Sequence, residues 1–132
     1  MIKELNDVIN ENGTILKYGL DKPIKEIADK AGLINLDAYD FVDLLKKHDI
    51  VAFANDTFIF NEPIAITVIN KDKPTQGILY IEANQSFTEP VCERIVNYAI
   101  DRLGRGIDLI YGVNINKSLD DNHIRIFLLA TK

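Results

Sequence analysis

Residues 124–131, Ile-Arg-Ile-Phe-Leu-Leu-Ala-Thr, alternate apolar and polar at first and then run apolar. A strand with one wet face keeps alternating, so this run belongs to a central strand, with Leu128 to Ala130 buried on both faces. Two more runs of this kind precede it. "GILYIEA" at 77–83 and "IDLIYGVNI" at 107–115 read as strands, with one amphipathic segment between them. That segment opens on Thr88-Glu89-Pro90, which offers a hydroxyl cap, an acid and an early proline. Cys92, Ile95, Val96, Ala99 and Leu103 then fall on one helical face, and Gly104 and Gly106 end the helix. Strand, helix, strand predicts a parallel pair joined by a right-handed crossover. The run at 124–131 is expected to pair with 77–83.

The rest of the chain reads less evenly. Ile2, Leu5, Val8 and Ile9 have helical spacing, stopped at Asn12-Gly13. Asp21 precedes "KPIKEIADKAG", where Pro23 suits a first turn and Gly32 a stop. A further helix opens at Asp37, with Phe41, Leu44, Leu45 and His48 as its stripe. "IVAFA" at 50–54 is a strand, Asn55-Asp56 a turn, and "TFIF" an extended continuation. Asn61-Glu62-Pro63 resembles a helix start, whereas the β-branched residues of the following "IAITVIN" favour a strand. We take a helix there as the working expectation.

With 132 residues, 47% of them hydrophobic, the chain is sized for one domain with a real core. A net charge of −5 argues against a broad nucleic-acid face, which works by neutralising phosphates. No apolar run approaches the roughly 20 residues of a membrane span. The first twenty residues lack the order of a secretory signal. The expectation is a soluble cytoplasmic protein with neither nucleic acid nor membrane as partner. Cys92 is the only cysteine and reads as a small buried hydrophobe. The single Gly-x-Gly, "GRG" at 104–106, lies between a helix and a strand, the wrong flanks for a phosphate cradle. His48 and His123 have no neighbours at metal-ligand spacing. No cofactor or metal of its own is expected, and the protein alone is not expected to be an enzyme.

The polar cluster Asn35, Asp37 and Asp40, spaced Asn-x-Asp-x-x-Asp at the mouth of a helix, admits two readings. Asp37 can cap the helix and Asp40 can favour its dipole. Two exposed carboxylates can also orient a water, provided another molecule supplies the electrophile.

The stretch "GLINLDAYD" resembles the synergy loop of FtsZ, the bacterial tubulin homologue of cell division. "YGVNINKSLDDNHIRIFLLAT" is similar to the last hairpin of the FtsZ C-terminal domain. The helix from Thr88 falls in register, and the similarity spans roughly 15–132, weakest at 55–76. These residues hold no glycine-rich phosphate loop. The resemblance implies an α+β fold: a two-layer sandwich with a four-stranded mixed sheet, in the order first, fourth, second, third, and helices on one face. It divides the chain into a helical segment, 1–32, a remnant or replacement of the family's central helix, and an FtsZ C-terminal-like domain, 33–132. It also implies a role in trans. Asp37 and Asp40 would activate the attacking water, and Asn35 would approach the phosphates, of GTP on a partner subunit in an FtsZ/tubulin-like filament. The alternative is a winged-helix DNA-binding regulator over 1–62, with 50–60 as its hairpin wing and a small C-terminal sensor or dimerisation domain. Against it, residues 1–62 hold seven Lys and no Arg beside twelve acids. A homo-oligomer is a further expectation.

Overall fold

The computed structural model describes residues 3–30, 36–60, 62–84 and 88–132. Four helices come first: α1 (Lys3–Glu11), α2 (Gly13–Lys17), α3 (Asp21–Ala28) and α4 (Ala38–Lys47). There follow β1 (Ile50–Ile59), β2 (Thr67–Val68), β3 (Gln76–Ala83), α5 (Glu89–Leu103), β4 (Asp108–Ile115) and β5 (His123–Thr131). The sheet order is β2-β1-β5-β3-β4. Among the described residues only β3 and β4 pair in parallel, through α5. β5 is central: it pairs antiparallel with β1 on one side and with β3 on the other. Leu128, Leu129 and Ala130 are fully buried. These are the neighbours and the burial that its apolar run predicts.

Two expectations fail here. The sheet has five strands rather than four, because β2 adds a two-residue edge beside Ala52 and Phe53 of β1. The helices also cover both faces instead of one. Leu79, Ile81, Ile126 and Leu128 pack with Cys92, Ile95 and Ala99 of α5. The alternate residues Ile78, Tyr80, Phe127 and Leu129 pack with Ile9, Ile24, Phe41 and Leu45 of the α1–α4 layer. Successive side chains of a strand point to opposite faces, so strands apolar at every position need a layer on each side.

Local signals meet mixed fates. Asn12 ends α1 but also starts α2, its Oδ1 accepting from Ile15 N at 3.0 Å. No turn forms at Asn55-Asp56. β1 runs through it as one ten-residue strand in register with β5 from Ala52 to Ile59. The hairpin wing of the DNA-binding alternative is therefore absent. The helix expected after Asn61 does not form either, since residues 62–66 are irregular and lead into β2. Buried Ile64 holds this segment to the α5-side core. Thr88 occupies the N-cap of α5, yet its hydroxyl makes no cap bond among the described residues. Gly104 closes α5 at φ 118°, a conformation that L side chains rarely adopt. Among the described residues, no helix is long and apolar enough to cross a membrane.

Gly77 marks a tight approach within the sheet. A Cβ there would stand 2.7 Å from the backbone oxygen of Leu129 and 3.1 Å from Leu109 Cδ1. The first atom belongs to the central strand and cannot step aside. Gly77→Ala is expected to destabilise the fold by roughly 1–3 kcal/mol, as overpacking does. Urea unfolding checks this, and an unchanged midpoint would mean that β3 and β5 separate more freely than their register implies.

Candidate functional site at the mouth of α4

Asp37 and Asp40 begin as a local solution to a helix end. The first N–H groups of α4 have no intrahelical acceptor. Asp37 sits at the N-cap in extended conformation, φ −110° and ψ 175°. Its Oδ1 accepts from Tyr39 N at 2.8 Å and from Asp40 N at 3.2 Å. Asp40 reciprocates, its Oδ2 accepting from Asp37 N at 2.9 Å. This is a capping box with aspartate in the place usually taken by glutamate or glutamine. Capping is thus a real role for both acids, though not one that uses them up. The cap bonds run through Asp37 Oδ1 and Asp40 Oδ2, and among the described residues the other oxygen of each carboxylate has no partner. Asp37 is exposed and Asp40 half-buried, and Tyr39 between them is 54% exposed.

The helix behind them is firmly seated. Phe41, Val42, Leu44 and Leu45 are buried against the sheet layer, whereas His48, expected in the stripe, is the C-cap. Leu36, just before the cap, is also buried. The third predicted residue, Asn35, lies outside the described residues. The structure therefore brings Asp37 and Asp40 together on one rigid helix mouth.

Sequence reasoning missed a buried ionic hub. Glu82 on β3 is 1% exposed, although it is a carboxylate. Its Oε2 accepts from Lys30 Nζ at 2.8 Å, from the Tyr80 hydroxyl at 2.8 Å and from Arg125 Nη1 at 3.1 Å. Its Oε1 accepts from Asn116 Nδ2 at 2.8 Å. Glu26 of α3 joins from outside, bonded to Lys30 at 3.3 Å and to Arg125 at 3.1 Å. Burial pushes the Glu82 carboxyl up, but the bonds from Lys30, Tyr80 and Asn116 outweigh it and hold the group down at about 2. Burial, then the bond to Glu82, raises the Tyr80 phenol above its ordinary range. Lys30 follows two residues after the end of α3, so the hub ties that end of the helical layer to the sheet. The only hint in the sequence is an acid inside an apolar strand, two residues after a tyrosine on the same face.

An apolar pocket of about 280 Å³ opens on the opposite sheet face, lined in part by Phe58, Phe60, Ile95 and Tyr98. Arg94 lies over the Phe60 ring at its edge, 5.9 Å from the centroid. The pocket is remote from Asp37 and contributes nothing to the helix mouth. Among the described residues, no group of three His, Cys, Asp or Glu is placed to hold a metal ion.

No protein-family model matches the chain, and no curated protein does. Solved structures do. One is the empty FtsZ dimer of M. jannaschii, 17% identical, with a TM-score of 0.59 over 98% of this chain and 43% of that one. Another is the W319Y mutant of FtsZ from the same organism, 18% identical, with a TM-score of 0.58 over 98% of this chain and 44% of that one. The chain spans less than half the length of either protein. Its fold is that of an FtsZ/tubulin-like C-terminal domain.

Proposed function

We propose that this domain is a filament-interaction module that presents Asn35, Asp37 and Asp40 to the nucleotide of an FtsZ/tubulin-like subunit. The observation that carries this reading is the capping box on that fold: two carboxylates on a rigid helix mouth, each with one oxygen left over from the cap. Phosphoryl transfer depends on placing water in line and on stabilising developing charge. A carboxylate held by its own helix cap can do the first without moving, and it needs GTP and the phosphate-binding groups from the partner. On this reading the domain binds the exposed nucleotide face of a filament end, and residues 1–132 hold no glycine-rich phosphate loop to offer the next subunit a nucleotide. It caps and shortens filaments in a cell-division setting, and it raises GTP turnover only in the subunit it covers.

GTPase and sedimentation assays with an FtsZ-type filament test this, comparing the wild-type domain with Asp37→Asn and Asp40→Asn. The wild type is expected to shorten filaments at substoichiometric ratios. Asp37→Asn keeps a capping side chain and hence the fold, so loss of turnover with retained filament binding would identify the acid as the group acting in trans. Asp37→Ala separates the structural share, since it loses the cap at about 0.5–2 kcal/mol. If the wild-type domain changes neither turnover nor sedimentation, the two aspartates are caps and nothing more.

A further inference from the structure

The two faces of the sheet are covered unequally. Helices α1 to α4 lie on one face, and α5 is the one helix among the described residues on the other. Five strands at about 4.8 Å spacing make a sheet about 20 Å across, whereas a helix with its side chains is about 10–12 Å wide. One helix therefore cannot cover its face alone. Beside α5 runs the irregular segment 62–66, which gives Ile64 to the core. Between the two lies the apolar pocket of about 280 Å³. Phe58, Ile64, Ile95, Ile124 and Ile126, all buried, make its floor and walls. Its rim carries Glu62, Pro63 and Arg94, all exposed, with the half-buried Phe60 and Tyr98.

The polar groups at this rim have donors to spare. The Arg94 guanidinium lies over the Phe60 ring, and among the described residues it has no carboxylate partner. Stacking occupies one face of a guanidinium and leaves the N–H fork at its edge. Tyr98 follows Arg94 by four positions, one helical turn on, so the two side chains stand on the same flank of α5. The Tyr98 hydroxyl accepts from Arg102 Nη1 at 3.0 Å, which leaves its own proton to donate. Two donors thus share the mouth of an apolar pocket. Glu62 is the one acid among the described lining residues, and it makes no ion pair with Arg94.

We propose that this pocket binds a small carboxylic acid with a compact apolar body, such as a phenyl ring or a branched alkyl group on a short chain. The body lies against Phe58 and the isoleucines of the floor, and the carboxylate takes the Arg94 fork and the Tyr98 proton. This goes beyond the filament reading and does not depend on it. Size sets the body. The volume sits just under the roughly 300 Å³ at which ligand pockets begin, so it admits one ring or one branched chain and not a drug-sized molecule. Charge sets the head group. One cation stands at a rim that also carries Glu62, on a chain of net charge −5, so a monoanion balances Arg94. A phosphate dianion would bring a second charge that nothing at the rim neutralises. A carboxylate is also flat, and its two oxygens match two N–H groups of the fork. A free acid and an apolar α-amino acid offer this same chemistry, the ammonium of the second facing Glu62.

Amide chemical-shift titration of the full chain tests this. The probes are 3-phenylpropionate, 4-methylpentanoate and phenylalanine, with neutral 3-phenylpropanamide as the control. At least one acid is expected to saturate with a Kd of about 1 mM or tighter, within reach of so small a ligand, and to move the amides of Phe58, Ile64, Ile95 and Tyr98. The neutral amide should bind about tenfold or more weakly, the loss expected when a charge-assisted hydrogen bond becomes a neutral one. Arg94→Gln should weaken the acid by a similar factor and erase the difference between acid and amide. Arg94 is exposed, so the substitution is expected to leave the fold intact, as unmoved amides away from the pocket would show. Glu62→Gln separates the two sources: it tightens the simple acids, and it weakens phenylalanine where the ammonium sits on Glu62. No saturable shift at the pocket with any probe up to about 10 mM, tenfold above the expected constant, overturns the proposal. So does an amide that binds the wild type as tightly as the acid, and so does an Arg94→Gln variant that binds the acid as tightly as the wild type.

Discussion

Glu82→Ala is expected to lower the free energy of unfolding by about 3 kcal/mol at pH 7, the low end of the range for breaking a buried ion pair. The substitution leaves the Tyr80 hydroxyl, the Asn116 amide, Lys30 and Arg125 without their shared acceptor. The loss stays at the low end because both cations keep Glu26 and are partly exposed, Lys30 by 31% and Arg125 by 19%. The pH dependence identifies the cause. Glu82 titrates at about 2 in the folded protein against an ordinary 4.5. A carboxyl with a depressed folded value binds its proton more readily in the unfolded chain. Its contribution is therefore complete above 4.5 and drains away as pH falls toward 2. Urea unfolding of wild type and variant should show a constant gap down to about pH 5 that closes below it. A gap of the same size at about pH 3 would mean that packing, not charge, is what Glu82 supplies.

Phe127→Ala is the largest single loss expected in the apolar core, roughly 3–5 kcal/mol. Phe127 is fully buried on the central strand, and its ring meets Phe41 of α4 at 6.5 Å between centroids and a 56° tilt. That contact fastens the helix bearing Asp37 and Asp40 to the sheet. A double-mutant cycle with Phe41→Ala should return a coupling of about 0.5–1.5 kcal/mol beyond the area lost. Additive losses would show that α4 is held by burial without a specific ring contact.

Sequence and structure agree where a pattern is carried by consecutive residues. The apolar run of β5 announced its central place, and Thr88 to Gly104 delimited α5 to within a residue. The aspartates were legible as caps because a cap is a contact over three residues. The second helical layer was present in the same apolar runs, since a strand with no polar face has two faces to cover. The segment after Asn61 was misread because its helix-start signals are local, while Ile64 answers to the sheet core. The Glu82 hub had almost no sequence signature. Its members come from α3, β3, β5 and the turn after β4, and the Arg125–Glu26 bond alone spans 99 positions. Nothing local encodes a contact of that separation.

The place of β5 sets a timetable for folding. The strand made last stands between β1 and β3, so synthesis yields two half-sheets, β2-β1 and β3-β4, with a gap one strand wide between them. At about 5–20 residues per second, a nascent chain spends seconds with both facing edges open before residues 123–131 arrive. Closing the gap then forms two strand pairs in one step, joining β5 to residues more than 60 positions upstream in the case of β1. Folding that waits on pairings of such separation is slow for its size. The hazard to the protein is concentrated in that interval, when β1 and β3 offer unpaired backbone to any passing strand.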